Sequence, residues 1–388
     1  MTSEDKTPLR ALHFGSGNLG RGLVVPVLAQ AGVHVAVADV DAGLIDALAA
    51  ARQYPLEVIA QDGQISSQTI PLTDALHIGR DRAALAEWIG CADIITTSVQ
   101  FENLPKVADT LRESVARRLH TGETFYVLAC ENVEGSSAHL ASLMALDGVA
   151  SAEQIAATFP NTVVDRNSQA LWPASTVTRT EAYWEWTVQA SDDAPFPVSS
   201  LNRAADITPA FWRKRYFVNT VADSLAFLGF MRSHRYLHEA FRDPLLLDLL
   251  APMFTELQQA LTFEYGYGAD ELWAYKERAI HRLQTPGIER QIGTVARGAW
   301  RKLGLDERFV HPIGTLMDRG IAPIGLARAI AAVIWVARGL DETSPLDPDD
   351  VLAEVRDQWQ GTPWSEAFQP LVLGQLGFLK QQMSRIKA

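Results

Sequence analysis

Three glycines, at positions 15, 17 and 20, stand in the run Leu12-His13-Phe14-Gly15-Ser16-Gly17-Asn18-Leu19-Gly20-Arg21-Gly22, directly after a short apolar run and at the mouth of a helical pattern. That spacing suits the cradling of a pyrophosphate. Gly15 permits a tight turn, Gly17 lets the backbone approach the phosphates, and Gly20 lets the helix pack closely on the strand, so that N–H groups at the helix start face the anion. Phe14, Ser16, Asn18 and Leu19 complete the candidate cofactor turn. The second β-type run ends in Asp39, 22 residues after Gly17. A carboxylate there accepts hydrogen bonds from ribose hydroxyls and repels a 2′-phosphate, which favours NAD over NADP. A glycine pattern alone is weak, a structural turn beside an exposed acid being the plain alternative. Strand, turn, helix and acid in this order make the pattern specific.

A second set of reactive side chains lies in Phe211-Trp212-Arg213-Lys214-Arg215-Tyr216-Phe217-Val218-Asn219-Thr220. Removing hydride from an alcohol needs a base for the hydroxyl proton and donors that hold the oxygen. Lys214 can serve as the base if burial and its cationic neighbours Arg213 and Arg215 depress its pKa. Asn219 can supply an amide donor to the same oxygen. The alternative is an ordinary amphipathic helix whose cations face water. Metal chemistry has little support: there is no paired-Cys ligand set, and of nine histidines the nearest pair, His234 and His238, suits a structural role.

These groups must be positioned by a chain of 388 residues, enough for two domains, with 47% hydrophobic and 21% charged residues. A formal charge of −12 argues against nucleic acid or an anionic membrane as partner. Two cysteines, Cys91 and Cys130, suit a reducing compartment. The first eight residues are polar, with no signal-peptide core, and the apolar run 321–337 is interrupted by Arg328, as expected of a buried helix. A soluble, cytoplasmic protein is therefore expected.

Strand-like runs at 11–14, 34–38, 94–98, 125–129 and 162–164 alternate with helical patterns at 19–31, 81–89 and 104–119, which predicts an α/β, doubly wound parallel sheet. A late strand is expected at 182–188, and the proline-bearing stretch 192–197 reads as a linker. Beyond it the pattern is helical, opening with Thr208 as N-cap and Pro209 in the first turn. The predicted organisation is a dinucleotide-binding domain over 1–197 and an all-helical domain over 198–388.

The segment 11–22 resembles, almost letter for letter, the ALHFGAGNIGRG opening of mannitol-1-phosphate 5-dehydrogenases, a group of the polyol-specific long-chain dehydrogenases. Ala38-Asp39-Val40, Ala129-Cys130-Glu131-Asn132 and Val164-Asp165-Arg166 resemble further segments of that family in the same order. Lys214 and Asn219 match the first part of its K-x4-N-x2-H signature, and Arg297 with Arg301-Lys302-Leu303 resembles a basic stretch near its substrate site. The resemblance implies a Rossmann domain and a helical domain with the active site between them, NAD, no metal, and a monomer or weak homodimer. It implies Lys214 as general acid/base, Asn219 as an oxygen-binding partner, Asn132 and Asp165 as groups that polarise or orient, and Lys302 and Arg297 on the substrate side. Asn132 as a turn cap and Asp165-Arg166 as a structural ion pair remain open. Residues 276–308 carry eight Lys or Arg against four acids, which suits a sugar phosphate or equally a solvated face.

The implied reaction interconverts a polyol or polyol phosphate with its ketose, mannitol 1-phosphate and fructose 6-phosphate first. Three departures leave room for another polyol or sugar acid, or for an NAD-binding homologue with little catalysis. The signature histidine position is Ala222, the position eight before Lys302 is Thr294 where the family has arginine, and the loop that normally carries Gly-Pro reads Val99-Gln100-Phe101. On an α-helical wheel position 222 is expected between Lys214 and Asn219.

Overall fold

The computed structural model describes residues 8–191, 196–285 and 287–387, and the chain forms two compact units, Met1–Phe211 and Trp212–Ala388. The expected polar start (1–7) and most of the expected linker (192–195) lie outside the described residues.

In the first unit, β1 (Arg10–Phe14), β2 (His34–Asp39), β5 (Asp74–His77), β6 (Ile94–Thr97) and β7 (Tyr126–Ala129) form an all-parallel sheet in the order β5-β2-β1-β6-β7. Leu12 lies between Ala36 and Ile95 in the register. Because strand side chains alternate between faces, each strand feeds two cores. Ala11, Val35, Val37, Ile94 and Leu128 pack on one face with the helix Val25–Gln30 and with Trp186. Leu12, Phe14, Ala36, Ile95 and Val127 pack on the other with the helices Arg82–Cys91 and Leu104–His120. This is the doubly wound Rossmann-type sheet the alternation predicted.

Some elements differ from expectation. A hairpin of β3 (Gln53–Ile59) and β4 (Ile65–Pro71) is joined by β9 (Ser168–Ala170) and β10 (Thr178–Glu181) in a second sheet. The run at 162–164 is β8 (Thr162–Asp165), but it does not extend the parallel sheet. It pairs antiparallel with β11 (Glu185–Gln189), and the short β12 (Asn202–Ala204) lies parallel on the other edge of β11. The division expected at 197/198 falls ahead of β12, whose pairing with β11 keeps the chain as far as Phe211 in the first unit.

The second unit contains the helices Val221–Met231, Pro244–Tyr265, Ala269–Leu283, Ile324–Arg338 and Ser365–Lys387. Thr208 is the first residue of the helix Thr208–Lys214 rather than its cap, and its N–H is taken by Asp206 Oδ1 at 2.9 Å. The apolar run at 321–337 is the buried helix Ile324–Arg338. Its interrupting Arg328 donates to the Leu249 carbonyl at 2.7 Å and to Gln375 Oε1 at 2.8 Å. Among the described residues no helix is long and apolar enough to cross a membrane.

The first turn of that helix is closed by Glu256, whose two carboxyl oxygens accept from the N–H groups of Gly325 and Leu326, each at 2.7 Å. Burial pushes the Glu256 carboxyl up to about 7, against the pull of these donors and of Arg328. A carboxyl raised from 4.5 to about 7 on folding contributes stability below pH 4.5 that is lost as the pH rises through about 7. Urea unfolding from about pH 5 to about pH 8 should show wild-type stability falling by about 1–3 kcal/mol more than that of Glu256→Gln. Parallel pH curves for the two proteins would contradict this assignment.

Candidate active site

The glycine turn leaves the end of β1 and is shaped from below by His13. The imidazole is fully buried, with Nε2 2.9 Å from the Gly15 carbonyl and Nδ1 2.7 Å from Thr96 Oγ1. A carbonyl can only accept, so Nε2 carries the proton and Nδ1 accepts from the threonine hydroxyl. Burial pushes the His13 pKa down to about 4, and the ring is neutral at physiological pH. Gly15 has φ +99°, which favours glycine. A Cβ at Gly20 would lie 2.1 Å from the Gly15 carbonyl oxygen and 2.5 Å from His13 Nε2. Gly20 therefore clears the turn and its histidine, and not only the strand. No atom lies within 4 Å of a Cβ built at Gly17, which leaves that backbone open to an approaching ligand. The helix predicted at 19–31 opens with a π-turn, Gly20–Val24, before Val25–Gln30.

The other turn residues are fixed by neighbours. Phe14 is buried in the core, Ser16 is buried, and Leu19 packs against the core. Asn18 Oδ1 accepts from the Ala170 N–H at 2.8 Å, which ties the turn to β9. Asp39 accepts from the backbone N–H of Ser16 at 2.6 Å, of Val40 at 2.7 Å and of Asp41 at 3.0 Å. A carboxylate is thereby placed against the turn at the end of β2. A tight turn that side chains at 15 and 20 would disrupt, with open backbone at Gly17 and a carboxylate held beside it, fits a dinucleotide.

Glu131 is a site-forming residue to which the sequence assigned no role. Its buried carboxylate accepts from Thr97 Oγ1 at 2.9 Å and from the N–H groups of Val99 at 2.9 Å and Gln100 at 3.0 Å. Burial pushes its pKa up against these three donors. It holds the loop after β6, which departs from the family's Gly-Pro and in which Gln100 has φ 73° and ψ 142°. That backbone region is nearly exclusive to glycine and costs about 1–3 kcal/mol for other residues. The adjacent Asn132 is exposed just beyond β7, Asp165 is buried at the end of β8, and each is engaged by neighbours. A groove of about 810 Å³ lined by Ala141, Phe159, Asn161 and Gln189 includes no residue of the glycine turn.

In the second unit Lys214 is buried, 7% exposed, and precedes a π-turn over Arg215–Thr220. In an α-helix Lys214 and Asn219 would stand about 140° apart, but i→i+5 bonding turns less per residue and draws them towards one line. The wheel placement of position 222 between them is thereby corrected. Counting α-helically from Asn219, Ala222 falls about 60° to one side and Asp223 about 40° to the other. Asn219 is half-buried, and its Oδ1 is shielded from solvent with no hydrogen-bond partner among the described residues. Trp212 and Tyr216 anchor the helix through His311. The Trp212 ring stacks on the imidazole at 3.6 Å, and Tyr216 Oη lies 2.7 Å from His311 Nδ1.

Arg213 and Arg215, the cationic neighbours of Lys214, are ion-paired, Arg213 with Glu271 at 3.4 Å and Arg215 with Glu307 at 2.6 Å. Lys302 is a buried, paired cation. It is 5% exposed, and its Nζ donates to Asp223 Oδ1 at 2.9 Å and to the Val295 carbonyl at 2.5 Å. Burial pushes its pKa down, against the pull of Asp223. Arg308 meets the second oxygen of Asp223 at 3.0 Å. Arg297 is exposed, and its Nη2 donates to Thr294 Oγ1 at 3.0 Å. The structure thus gathers Asp223 and Arg308, which the sequence did not single out, around Lys302. The acid immediately after Ala222 was the available signal. His234 Nε2 lies 3.0 Å from Asp243 Oδ2, and no group of three or more potential metal ligands occurs among the described residues.

A family profile described as the mannitol dehydrogenase Rossmann domain matches residues 9–196, and one described as the mannitol dehydrogenase C-terminal domain matches 206–368. A mannitol-1-phosphate 5-dehydrogenase of Paenarthrobacter aurescens is 30% identical over 377 residues, covering 94% of this chain and 97% of the relative. One from an Exiguobacterium species is 31% identical over 84% of this chain and 85% of its own. Among solved structures, a Pseudomonas fluorescens mannitol 2-dehydrogenase in ternary complex with NAD and D-mannitol superposes with TM-score 0.77 at 17% identity, covering 97% of this chain and 93% of that one. A D-sorbitol dehydrogenase gives TM-score 0.77 at 18% identity over 96% and 93%.

Asp39 should make NAD bind more tightly than NADP, by about tenfold or more, since a 2′-phosphate would meet its charge. Its three backbone hydrogen bonds also hold the turn, so Asp39→Asn should narrow the gap while sparing NAD affinity, whereas Asp39→Ala should weaken NAD as well. Isothermal titration of both cofactors checks this, and equal affinities for the wild type would refute it.

Proposed function

Because the chain belongs to the mannitol dehydrogenase family, we propose that it is an NAD-dependent oxidoreductase interconverting a polyol or polyol phosphate with its ketose, mannitol 1-phosphate and fructose 6-phosphate being the leading pair. The observation that carries this reading is the buried Lys214 at the head of a π-turn that contains Asn219, whose Oδ1 has no partner among the described residues, in a chain whose other unit carries a glycine turn fit for a dinucleotide. NAD would be held by the turn at Gly15, Gly17 and Gly20 and by Asp39, and it supplies a hydride acceptor. Lys214 takes the hydroxyl proton, and Asn219 holds the reacting oxygen or a neighbouring hydroxyl. Asn132 and Asp165 orient the substrate or the lysine. Lys302 acts from within its pair with Asp223, and Arg297 is the exposed guanidinium available to an anionic substrate terminus. The reading includes a cytoplasmic location, which the two unpaired cysteines favour, and a monomer or weak homodimer.

A second reading, the same chemistry on a different polyol or sugar acid, is favoured by one feature. Beside Ala222 the chain places the acid Asp223, which engages both Lys302 and Arg308. A panel of polyols, polyol phosphates, sugar acids and ketoses followed at the nicotinamide absorbance band tests both readings, and no turnover with any of them would defeat both.

Lys214→Ala should lower turnover on the best substrate by about 10²–10⁴ and leave NAD affinity nearly unchanged. Steady-state kinetics with calorimetry checks this, and wild-type turnover in the variant would remove Lys214 from the mechanism. Ala222→His separates the two readings. If fructose 6-phosphate is the natural substrate, the imidazole should raise its reduction, alone or together with Thr294→Arg, since one oxygen-binding donor is commonly worth about 10²–10³ in turnover. If the pocket serves another substrate, the same substitutions should lower activity on it. Unchanged kinetics on every substrate would show that position 222 does not face the reaction.

A further inference from the structure

Within the second unit, the π-turn Arg215–Thr220 is held by one short segment of chain, residues 307–311. Glu307 pairs with Arg215, the first residue of the turn, at 2.6 Å. Thr220, its last residue, shares its hydroxyl hydrogen between the carbonyls of Arg308 and Arg215, each at 3.1 Å. Arg308 also meets Asp223, just beyond the turn, at 3.0 Å. His311 Nδ1 lies 2.7 Å from Tyr216 Oη, and its ring stacks on Trp212 at 3.6 Å and 14°. A helix left to itself bonds i to i+4, and a π-turn persists where its surroundings impose it. Here both ends are imposed by the same five residues.

His311 stands at the end that matters for Lys214. Trp212 belongs to the α-helical part, Thr208–Lys214, and Tyr216 to the π-turn, with Lys214 midway between them. One imidazole therefore spans the junction at which the bonding pattern changes. It does so as an acceptor. Tyr216 is fully buried, so its hydroxyl hydrogen needs a partner, and Nδ1 is the one it has among the described residues. Burial pushes the His311 pKa down to about 4, helped by Arg215 and opposed by Asp306, so the ring is neutral. Glu264 Oε2, 4.0 Å from Nδ1, lies beyond hydrogen-bond reach. Resting on the reading of Lys214 as the base, we propose that His311 is a positioning residue for the reaction: by bridging Trp212 and Tyr216 it fixes the α-to-π junction and so sets Lys214 relative to Asn219. Without that bridge the turn can relax to α-helical bonding, which returns the lysine and the asparagine to about 140° apart.

Three variants and two readouts test this. His311→Ala removes acceptor and ring, His311→Asn restores an acceptor near the place of Nδ1, and Tyr216→Phe removes the donated hydrogen alone. In steady-state kinetics on the best substrate, His311→Ala should lower kcat by about 10- to 10²-fold, the cost of a small misplacement of a reacting group, with NADH affinity in isothermal titration unchanged. His311→Asn should recover most of that loss. Tyr216→Phe should lose about three- to tenfold, and it carries the same readings if the alanine variant does not fold. The second readout needs no turnover. Acetylation by acetic anhydride, followed for each lysine by mass spectrometry, should run at least about threefold faster at Lys214 in His311→Ala than in wild type, as local loosening requires. Lys302, which is similarly buried, should be unchanged. Wild-type kcat and unchanged labelling in His311→Ala would overturn the proposal. Equal gains at Lys214 and Lys302, the mark of general loosening, would do the same, as would an asparagine variant no better than alanine. A fall in kcat with Lys214 labelling unchanged would also overturn it, by placing the effect of His311 elsewhere. Faster labelling of Lys214 with turnover intact would instead defeat the reading of Lys214 as the base, and the proposal with it.

Discussion

A neutral imidazole at full burial is the constraint on which the cofactor end of the first unit depends. His13 joins the end of β1 to β6 through Thr96, and it spends its one ring N–H on the Gly15 carbonyl. That bond fixes the direction of the peptide at the turn, and it sets how close the following helix may come, since Gly20 must clear both the carbonyl and the ring. Protonation would put an unpaired charge in a dry environment, and burial accordingly holds the ring neutral down to about pH 4. Ser98 reaches the same carbonyl, and the next two residues, Val99 and Gln100, give their N–H groups to Glu131. The turn, the loop after β6 and the end of β7 therefore form one hydrogen-bonded assembly. A carboxylate at Asp39 closes it on the β2 side.

The second unit is organised by charge. Asp223 and Glu307 are shared among Lys302, Arg308, Arg215 and Arg301 in a connected set of ion pairs. Burying such pairs adds little net stability, because desolvation offsets most of the Coulomb attraction. Their effect is geometric. Each acid accepts from at least two cations, so the helix bearing Asp223 and the segment bearing Lys302 and Arg308 are held in one register. Burial works to raise Glu307, but Arg215, Arg308 and Arg301 outweigh it and hold its carboxyl below the ordinary range. The π-turn acts on the same helix, and it gives physical sense to a lysine and an asparagine five residues apart, a spacing that an α-helix would spread over two faces.

The sheet and the glycine turn were legible because their signals are local. Alternating strands and helices, a glycine spacing and a strand-ending acid each need only a short window of sequence. The hairpin of β3 and β4 carries a local signal as well, Asp62-Gly63 between two β-type runs. The antiparallel placement of β8 was not readable, because a short apolar strand says nothing of its partner. Among site residues, Lys214 and Asn219 came from the sequence, whereas their relative orientation did not, since nothing in the residue types announces a π-turn. Lys302 was expected on the substrate side, but its burial in a pair with Asp223 was not readable, because Asp223 lies 79 positions away in the chain and pairing at that distance leaves no local trace. His13 and Glu131 stood inside quoted segments, yet their roles depend on atoms of β6 and the loop beyond it.

The three departures from the family pattern share a physical form. At each of them a neighbouring group has taken up a polar contact. In the loop Val99-Gln100-Phe101, where the family carries Gly-Pro, Val99 and Gln100 give their N–H groups to Glu131. Ala222 is followed by Asp223, which neutralises two buried cations. Thr294, in an arginine's place, accepts from the guanidinium of Arg297. Loss of one partner from a buried ion pair leaves an uncompensated charge and costs about 3–5 kcal/mol, so unselected erosion of the polar positions should leave orphaned groups behind. Here Lys302 and Arg308 each meet an acid, and the loop after β6 keeps its main chain bonded in a conformation that strains Gln100. At Ala222 the buried cations Lys302 and Arg308 thus keep a partner in the adjacent Asp223, whereas the Thr294–Arg297 contact is exposed and carries little of that cost.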